Sequence, residues 1–368
     1  MSERISSIDA MRIVAMASVV VIHTNPFEGV GTYGNLANFL IESTARFAVP
    51  FFFLASGYFF ALQIARSDPT TQFRKRVSKI SSLYLFGLLL TFPVFLTETV
   101  VRASIENRDI MTSVVHDLTA FTSPIELIYY GTSVSEILWF FPALLFSYLF
   151  IYLCLNHGLS AYLLPISLGF HLVGLLGSSY TMFIDIPFVV RDGLFFGFFY
   201  TSLGYAIYSH DWQPDLDRST LYLGLTVLFG ALHIGERYVL GYVITDSTVA
   251  QGVYWSSYTI GTALVTVSLF VFLLSRPDLG TSTAVPSWGR NYAVGIYVAH
   301  PPVLFVLEEG AEVLNSSGYE VQNTILWQFV LTPATFFGAL LVYIAVSKLR
   351  PVRLGGFSLP RGNWMQNR

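Results

Sequence analysis

Charged residues are scarce in this chain of 368 residues. Asp, Glu, Lys and Arg together make up 12% of it, whereas hydrophobic residues make up 54%. An average soluble domain carries about 25% charged residues. Half the usual charge cannot coat a globule of this size, so the composition excludes a soluble enzyme, a disordered chain, a coiled coil and a repeat solenoid. It indicates a polytopic membrane protein whose surface is covered mostly by lipid.

Cysteine pairs, metal-type histidine spacing and large basic patches are also lacking. The single cysteine, Cys154, cannot form an internal disulfide and leaves the redox compartment open. The seven histidines have no close metal-ligand spacing, so no metal site is predicted. The net charge of −3 comes with no basic region large enough for nucleic acid, and no nucleic-acid partner is expected. Asp9 and Arg12 interrupt the first apolar stretch, so no cleavable signal peptide is expected.

Long apolar runs predict about ten membrane-spanning helices, because about 20 mostly apolar residues cross the hydrocarbon core. The runs are continuous rather than alternating, which favours helices over barrel strands. The predicted fold class is therefore all-α, a polytopic transmembrane helix bundle. The predicted spans are 8–24, 46–65, 80–101, 137–155, 158–177, 187–208, 220–235, 253–274, 289–307 and 323–347.

The positions of Lys and Arg favour this count. With ten spans and both termini in the cytoplasm, fifteen of the twenty basic residues fall on the cytoplasmic side, as the positive-inside rule requires. The expected location is the plasma membrane, which is the cytoplasmic or inner membrane in a prokaryote. Residues 1–347 are predicted to form one membrane domain. Residues 348–368 are predicted to form a short basic cytoplasmic tail against anionic lipid head groups.

The first span carries three ionisable side chains, which are costly in a membrane and are therefore functional candidates. Arg12 and His23 are eleven residues apart, about three helical turns, so they share one face and lie roughly 16 Å apart along the axis. Asp9 precedes Arg12 by three residues and can pair with it. A histidine here can act as a general base, and an arginine suits anion binding. The alternative is an interfacial anchor at Arg12 and a helix-capping role for His23.

Four cations cluster after the second predicted span, at the start of the third. They are Arg74, Lys75, Arg76 and Lys79. Arg76 and Lys79 share a helical face because they are three residues apart. Such a cluster at the membrane surface suits a phosphate-bearing ligand. Ordinary positive-inside anchoring is the alternative.

Six further residues in apolar segments are candidates for substrate binding or structural support. They are Ser56, Tyr58, Trp139, Arg191, Tyr297 and His300. Packing is the alternative at Ser56 and Tyr58, and an interfacial anchor is the alternative at Trp139. An intramembrane histidine such as His300 is a functional candidate, or it hydrogen-bonds only its neighbours.

Taken in order, six segments resemble the acyltransferase-3 family of integral membrane acyltransferases. The first span has the signature of an arginine, ten residues and a histidine, preceded by an aspartate. The other segments similar to the family pattern are FFFLASGYFFA, FRKRVSKISSLY, LWFFPALL, RDGLFFGFFYTSLGY and GRNYAVGIYVAHP. The resemblance spans about residues 7–347. Lys79, Ile137 and Asp192 depart from it, since arginine, histidine and asparagine are common there.

The resemblance implies a membrane acyltransferase. It would move an acyl group, usually acetyl, from a coenzyme A thioester to a hydroxyl of a sugar in a surface polysaccharide, lipid-linked glycan or glycolipid. His23 would be the catalytic histidine, with Arg12 and Asp9 beside it. The coenzyme A phosphates would meet the cations Arg76, Lys79, Arg74 and Lys75.

The acyl-CoA is expected as a substrate, and no permanently bound cofactor is expected. The other expected partners are the sugar acceptor and membrane lipids. The alternative function is a secondary transporter or glycan exporter. It would also bury arginine and histidine in a polar channel, but it would release no coenzyme A thiol.

Overall fold

The computed structural model describes residues 4–184, 186–256 and 258–348. These residues form helices and turns and contain no strand, in agreement with the predicted all-α class. The α-helices in these ranges are α1 (Ser6–Thr24), α2 (Gly31–Ala45), α3 (Ala48–Ile64), α4 (Pro69–Ile105), α5 (Ile110–Phe121), α6 (Phe140–Asn156), α7 (Leu163–Ser178), α8 (Phe198–Ser209), α9 (Ser219–Tyr238), α10 (Ile260–Ser275), α11 (Val285–Ser316) and α12 (Ile325–Lys348). A π-helical turn, Gly193–Gly197, leads directly into α8.

Each of the ten predicted spans overlaps one of these helices, while α2 and α5 were not predicted as spans. Six helical stretches in the described residues are long and apolar enough to cross a membrane, so the protein is membrane-embedded. They are Ser6–Thr24, Gly31–Ile64, Pro69–Ile105, Ser160–Ser178, Leu216–Val243 and Ile325–Lys348. The helices α6 and α10 are apolar but have only 17 and 16 residues. Ten crossings and two cytoplasmic termini therefore stay predictions. The predicted basic tail lies outside the described residues, apart from Lys348 at the end of α12.

Helix α1 lies inside the bundle, where it packs against α11 and α3. Glycines allow the closest approaches between helices, because a side chain would otherwise hold the backbones apart. Gly289 on α11 lies against the carbonyl oxygen of Asp9 on α1, and a Cβ at this position would collide with that oxygen. Gly57 on α3 meets the carbonyl oxygen of Thr201 on α8 in the same way. These contacts bring the polar face of α1 against the neighbouring helices.

Aromatic rings fill the space between α3, α6 and α8. Phe53 of α3 packs against Phe140, Phe196 and Trp139, with ring centroids 4.6 to 6.1 Å apart. Rings in such tilted and edge-on arrangements bury a large apolar area and hold fixed positions. This aromatic core packs beside the polar residues of α1 and α11.

Candidate active site

The N-terminal end of α1 carries a shared carboxylate. Asp9 is buried, and its two oxygens accept hydrogen bonds from Arg12, at 2.6 Å, and from Arg290 of α11, at 3.1 Å. The close approach of Gly289 to α1 explains why the next residue reaches Asp9. The guanidinium of Arg12 also lies 4.9 Å from the centre of the Phe59 ring. The predicted pair of Asp9 and Arg12 is present, and Arg290 is a third member.

Two of the four predicted cations on α4 lie beside this carboxylate. Arg12, Arg76 and Lys79 are close enough for their charges to act on one another. The Nε of Arg76 donates a hydrogen bond to Gln63 at 3.0 Å, which ties the start of α4 to the end of α3. We call Arg12, Arg76, Lys79 and Arg290 the basic cluster.

The other two predicted cations lie elsewhere. Arg74 and Lys75 are exposed on α4, and Arg74 acts on Asp68 in the preceding turn. The N–H of Thr71, at 2.7 Å, and the charge of Arg74 lower the pKa of Asp68, which caps the start of α4. Arg76 and Lys79 are thus the two cations of α4 whose charges act on Arg12, although the side chain of Lys79 is also exposed.

Two histidines meet at the C-terminal end of α1. The rings of His23 and His300 of α11 have centroids 5.6 Å apart and are tilted by 38°. His300 is fully buried, whereas His23 is only half-buried. The Nδ1 of His300 lies 2.7 Å from the carbonyl oxygen of Tyr297, which can only accept, so Nδ1 carries the proton. The Nε2 of His300 is then an acceptor, and it has no hydrogen-bond partner among the described residues.

An aromatic wall borders the histidine pair. Tyr297 packs against Phe140 and Phe141, and its hydroxyl donates to the carbonyl oxygen of Ile137. The guanidinium of Arg191 lies 5.4 Å from the centre of the Trp139 ring. Three of the predicted support residues, Tyr297, Trp139 and Arg191, therefore lie at the same end of α1 as His23.

The remaining predicted support residues lie deeper in the packing. The carbonyl oxygen of Ser56 accepts a hydrogen bond from Tyr148 at 3.2 Å. The hydroxyl of Tyr148 is near enough to Arg12 and Arg76 to interact with their charges. The ring of Tyr58 packs edge-on against Tyr208 and Phe270. Ser56 therefore borders the basic cluster through its backbone, and the ring of Tyr58 serves helix packing.

Asp192, one of the departures from the family pattern, has a defined structural task. One of its carboxylate oxygens accepts the N–H of Phe195 at 2.8 Å and caps the π-helical turn before α8. The other accepts the hydroxyl of Tyr129 at 2.7 Å. An aspartate therefore fulfils here a helix-capping role that asparagine also performs well.

Sequence reasoning missed a buried charge network next to the histidine pair. The carboxylate of Glu42 pairs with Arg46 and, at 2.6 Å, with Arg237. Arg237 is completely buried and also donates to Ser43 at 2.9 Å and to the carbonyl oxygen of Ser256 at 2.6 Å. The four-residue spacing of Glu42 and Arg46 was the available signal, because such pairs share a helical face. The partner Arg237 comes from α9 and leaves no local signal.

The polar residues on α1 thus form two separate groups joined by one helix. One end offers several cations suited to phosphates. The other offers a histidine pair with a free acceptor nitrogen, which is suited to proton transfer. Aromatic rings and arginines surround the histidine end.

The fold and this site define a polytopic helical membrane protein with a buried arginine–histidine site. The acyltransferase domain of the acyltransferase-3 family matches residues 5–344. The chain belongs to this family, which supports an acyltransferase role.

The curated relatives are named as racemases rather than as acyltransferases. The chain is 23% and 22% identical to two amino-acid racemases of Enterococcus faecalis in alignments of 367 positions, which cover 95% of this chain but 47% and 46% of those proteins. It is 28% identical over 260 residues to a serine/alanine racemase of Enterococcus gallinarum, covering 64% of this chain and 34% of the relative. The chain thus spans half or less of the length of these relatives. No solved structure matches it.

Proposed function

We propose that this protein is a membrane O-acyltransferase. It moves an acyl group, foremost acetyl, from a coenzyme A thioester to a hydroxyl of a sugar in a surface polysaccharide, lipid-linked glycan or glycolipid of the plasma membrane. The observation that carries the proposal is the placement of the basic cluster and the histidine pair at opposite ends of α1. A donor with phosphates at one end and a reactive thioester at the other fits such a site.

The basic cluster is the proposed donor end. Arg76 and Lys79 would hold coenzyme A phosphates, with Arg12 beside them. Asp9 limits the mutual repulsion of Arg12 and Arg290 by accepting from both. Arg74 and Lys75 are exposed and would add only a long-range attraction that salt screens.

The histidine pair is the proposed reaction end. His23 accepts the proton of the sugar hydroxyl as the hydroxyl oxygen attacks the thioester carbonyl carbon. The bond between carbon and sulfur then breaks, and the sulfur leaves as a thiolate. The thiolate takes the proton from His23, which yields the acylated sugar, free coenzyme A and neutral histidine. The buried Nε2 of His300 offers an acceptor that can orient His23 or the hydroxyl.

Coenzyme A thiol release by the purified protein tests the proposal. Acetyl-CoA is mixed with a crude surface-glycan extract, and thiol appearance is followed for the wild type and His23→Ala. Release should depend on the extract and fall at least about 100-fold in the variant, because general base catalysis is lost. His210→Ala removes an exposed histidine and should have no effect.

Full release by His23→Ala would contradict the proposed mechanism. An acetyl group trapped on the His23 ring would make this residue an acyl carrier rather than a base. The second candidate function is a secondary transporter. The relatives named for amino-acid racemases make amino acids the first transport substrates to try. Uptake into vesicles without thiol release would favour it.

A further inference from the structure

Arg191 has hydrogen-bonding capacity that the rest of the structure does not use. Its guanidinium lies over the Trp139 ring, 5.4 Å from its centre, and its nearest carboxylate oxygen, on Glu136, is 3.6 Å away. Glu136 is 83% exposed, so water weakens this ion pair. Arg191 makes no hydrogen bond to any described residue. A guanidinium has five N–H donors in a planar fork that matches a carboxylate or phosphate.

Arg191 lies beside the reacting residues. It is close enough for its charge to act on His23 and on the hydroxyl of Tyr297. Within the described ranges, the permanently charged groups that act on His23 are Arg191 and Arg46, and neither is an anion. The permanent charges that act on His23 are therefore positive, although Glu42 and Glu136 lie next to these arginines.

The two arginines differ in how strongly the protein holds them. Arg46 pairs with the buried Glu42, which it shares with Arg237, and its guanidinium lies 5.8 Å from the centre of the Trp255 ring. A second carboxylate, Glu236, acts on Arg237 from the next position in the chain. Arg46 is thus part of a structural network, whereas Arg191 is left with its donors available.

We infer that the acceptor carries an anionic group near the reacting hydroxyl and that Arg191 binds this group. The inference rests on the proposed acyltransferase function and narrows its acceptor class. The anion is either a carboxylate on an acidic sugar or the phosphate that links a sugar to its lipid. Arg46 adds to the attraction without contacting the anion, and the nearby Trp139 ring helps to position the guanidinium of Arg191 for a two-point contact.

The geometry favours an acceptor anion over a general electrostatic role. The contact with the Trp139 ring limits the positions open to the guanidinium, which favours a two-point contact with one planar partner. Loss of such a charged two-point contact should weaken binding about tenfold or more. The same loss should leave the binding of acceptors without an anionic group unchanged.

The test compares three acceptors that share a sugar ring. They are methyl β-D-glucoside, methyl β-D-glucuronoside and glucose linked through phosphate to a polyprenyl lipid. KM and kcat are measured by thiol release from acetyl-CoA with the wild type, Arg191→Gln and Arg191→Lys. The control is Arg108→Gln, which removes an exposed arginine that pairs with Glu106.

The inference expects the wild type to prefer one charged acceptor over the neutral one. Arg191→Gln should raise the KM for that acceptor about tenfold and leave kcat/KM for the glucoside within about twofold. Arg191→Lys should recover part of the loss, and Arg108→Gln should behave as the wild type. The preferred charged acceptor identifies the source of the anion as sugar carboxylate or lipid-linking phosphate.

Two results would overturn the inference while leaving the proposed function intact. One is equal use of neutral and charged acceptors by the wild type. The other is an equal loss with all three acceptors in Arg191→Gln, which would give Arg191 a part in the chemical step.

If neither these acceptors nor the surface-glycan extract supports thiol release, the proposed function fails, and binding then decides the inference separately. The readout is the rise in Tm that each acceptor produces in detergent-solubilised protein. A rise with a charged acceptor that disappears in Arg191→Gln supports anion binding. No difference between the two proteins overturns it.

Discussion

At the scale of single residues, the prolines after His300 explain its hydrogen bonding. Pro301 and Pro302 lie inside α11, and proline has no N–H to donate to the carbonyl four residues earlier. The carbonyl oxygen of Tyr297 is thus left without its usual helical donor. The Nδ1–H of His300 takes that place at 2.7 Å, which fixes the ring and leaves Nε2 as the acceptor.

This arrangement gives the first residue-scale prediction. His300→Gln keeps a polar side chain but loses the fixed acceptor beside His23, so kcat should fall at least about tenfold. KM for acetyl-CoA should stay unchanged, because the basic cluster lies at the other end of α1. Steady-state kinetics with purified protein measures both. A wild-type kcat in His300→Gln, with His210→Gln as the control, would show that His300 only packs.

Asp9 illustrates why a buried carboxylate between arginines matters. It lies 6% exposed and accepts from two guanidinium groups that come from different helices. Removing such a shared partner would leave two cations facing each other in a region of low polarity, which is costly. Asp9 therefore links α1 to α11 through its hydrogen bond with Arg290. It also lies next to Arg12 at the proposed donor end.

At the scale of elements, the four cations of α4 differ in burial and contacts. Arg76 is partly buried, donates a hydrogen bond to Gln63 and acts on the charge of Arg12. Lys79 also acts on these charges, but its side chain is exposed, as are those of Arg74 and Lys75. Burial thus divides Arg76 from the three exposed cations around it.

This division predicts unequal effects on donor binding. Arg76→Ala should raise the Kd for acetyl-CoA about tenfold, since a charged hydrogen bond to phosphate is lost. Arg74→Ala removes the same charge from the exposed pair and should change Kd by about twofold or less at 0.15 M salt. Equilibrium binding of labelled acetyl-CoA in detergent measures both. Equal effects of the two substitutions would remove the basic cluster from the donor site.

The approach of α11 to α1 is the element-scale feature on which both ends of the site depend. Gly289 allows the backbone contact with Asp9, and the same pair of helices presents His23 and His300 to each other farther along. A larger residue at 289 would force the helices apart along their length. One glycine thus supports contacts at both the basic cluster and the histidine pair.

At the scale of the whole molecule, the predicted orientation assigns the two ends of α1 to different sides of the membrane. The basic cluster would open to the cytoplasm, where coenzyme A thioesters are made, and the histidine pair would lie toward the outer face. In that orientation an acyl group enters from inside and meets an acceptor nearer the outside. The acyl group would therefore move along α1 from the basic cluster to the histidine pair.

Cysteine labelling tests this orientation and the count of ten spans. In a Cys154→Ser background, single cysteines are placed at exposed positions, Ser67 and Asp278 on the predicted inside and Asn107 and Ser317 on the predicted outside. A membrane-impermeant maleimide should label Asn107→Cys and Ser317→Cys in intact cells. It should label the other two only after permeabilisation. Any position labelled from the opposite side would change the number of crossings.

The family match and the helical content confirm the resemblance read from the sequence, and the apolar helices confirm a membrane protein. Several site contacts were beyond sequence reasoning. Arg237 sits in α9 and pairs with Glu42 in α2, and nothing in the local pattern of either helix marks the other as its partner.

Local features could be predicted from the residues alone, namely the apolar helices and the shared face of Asp9, Arg12 and His23 on α1. They follow from composition and helical period, which act over a few turns. Contacts between distant residues emerge only once the helices pack. They are those of His300 with His23, of Arg290 with Asp9 across 281 positions, and of Arg191 with Trp139 and His23. The physical reason is that such contacts depend on which helices pack together and how closely their glycines let them approach.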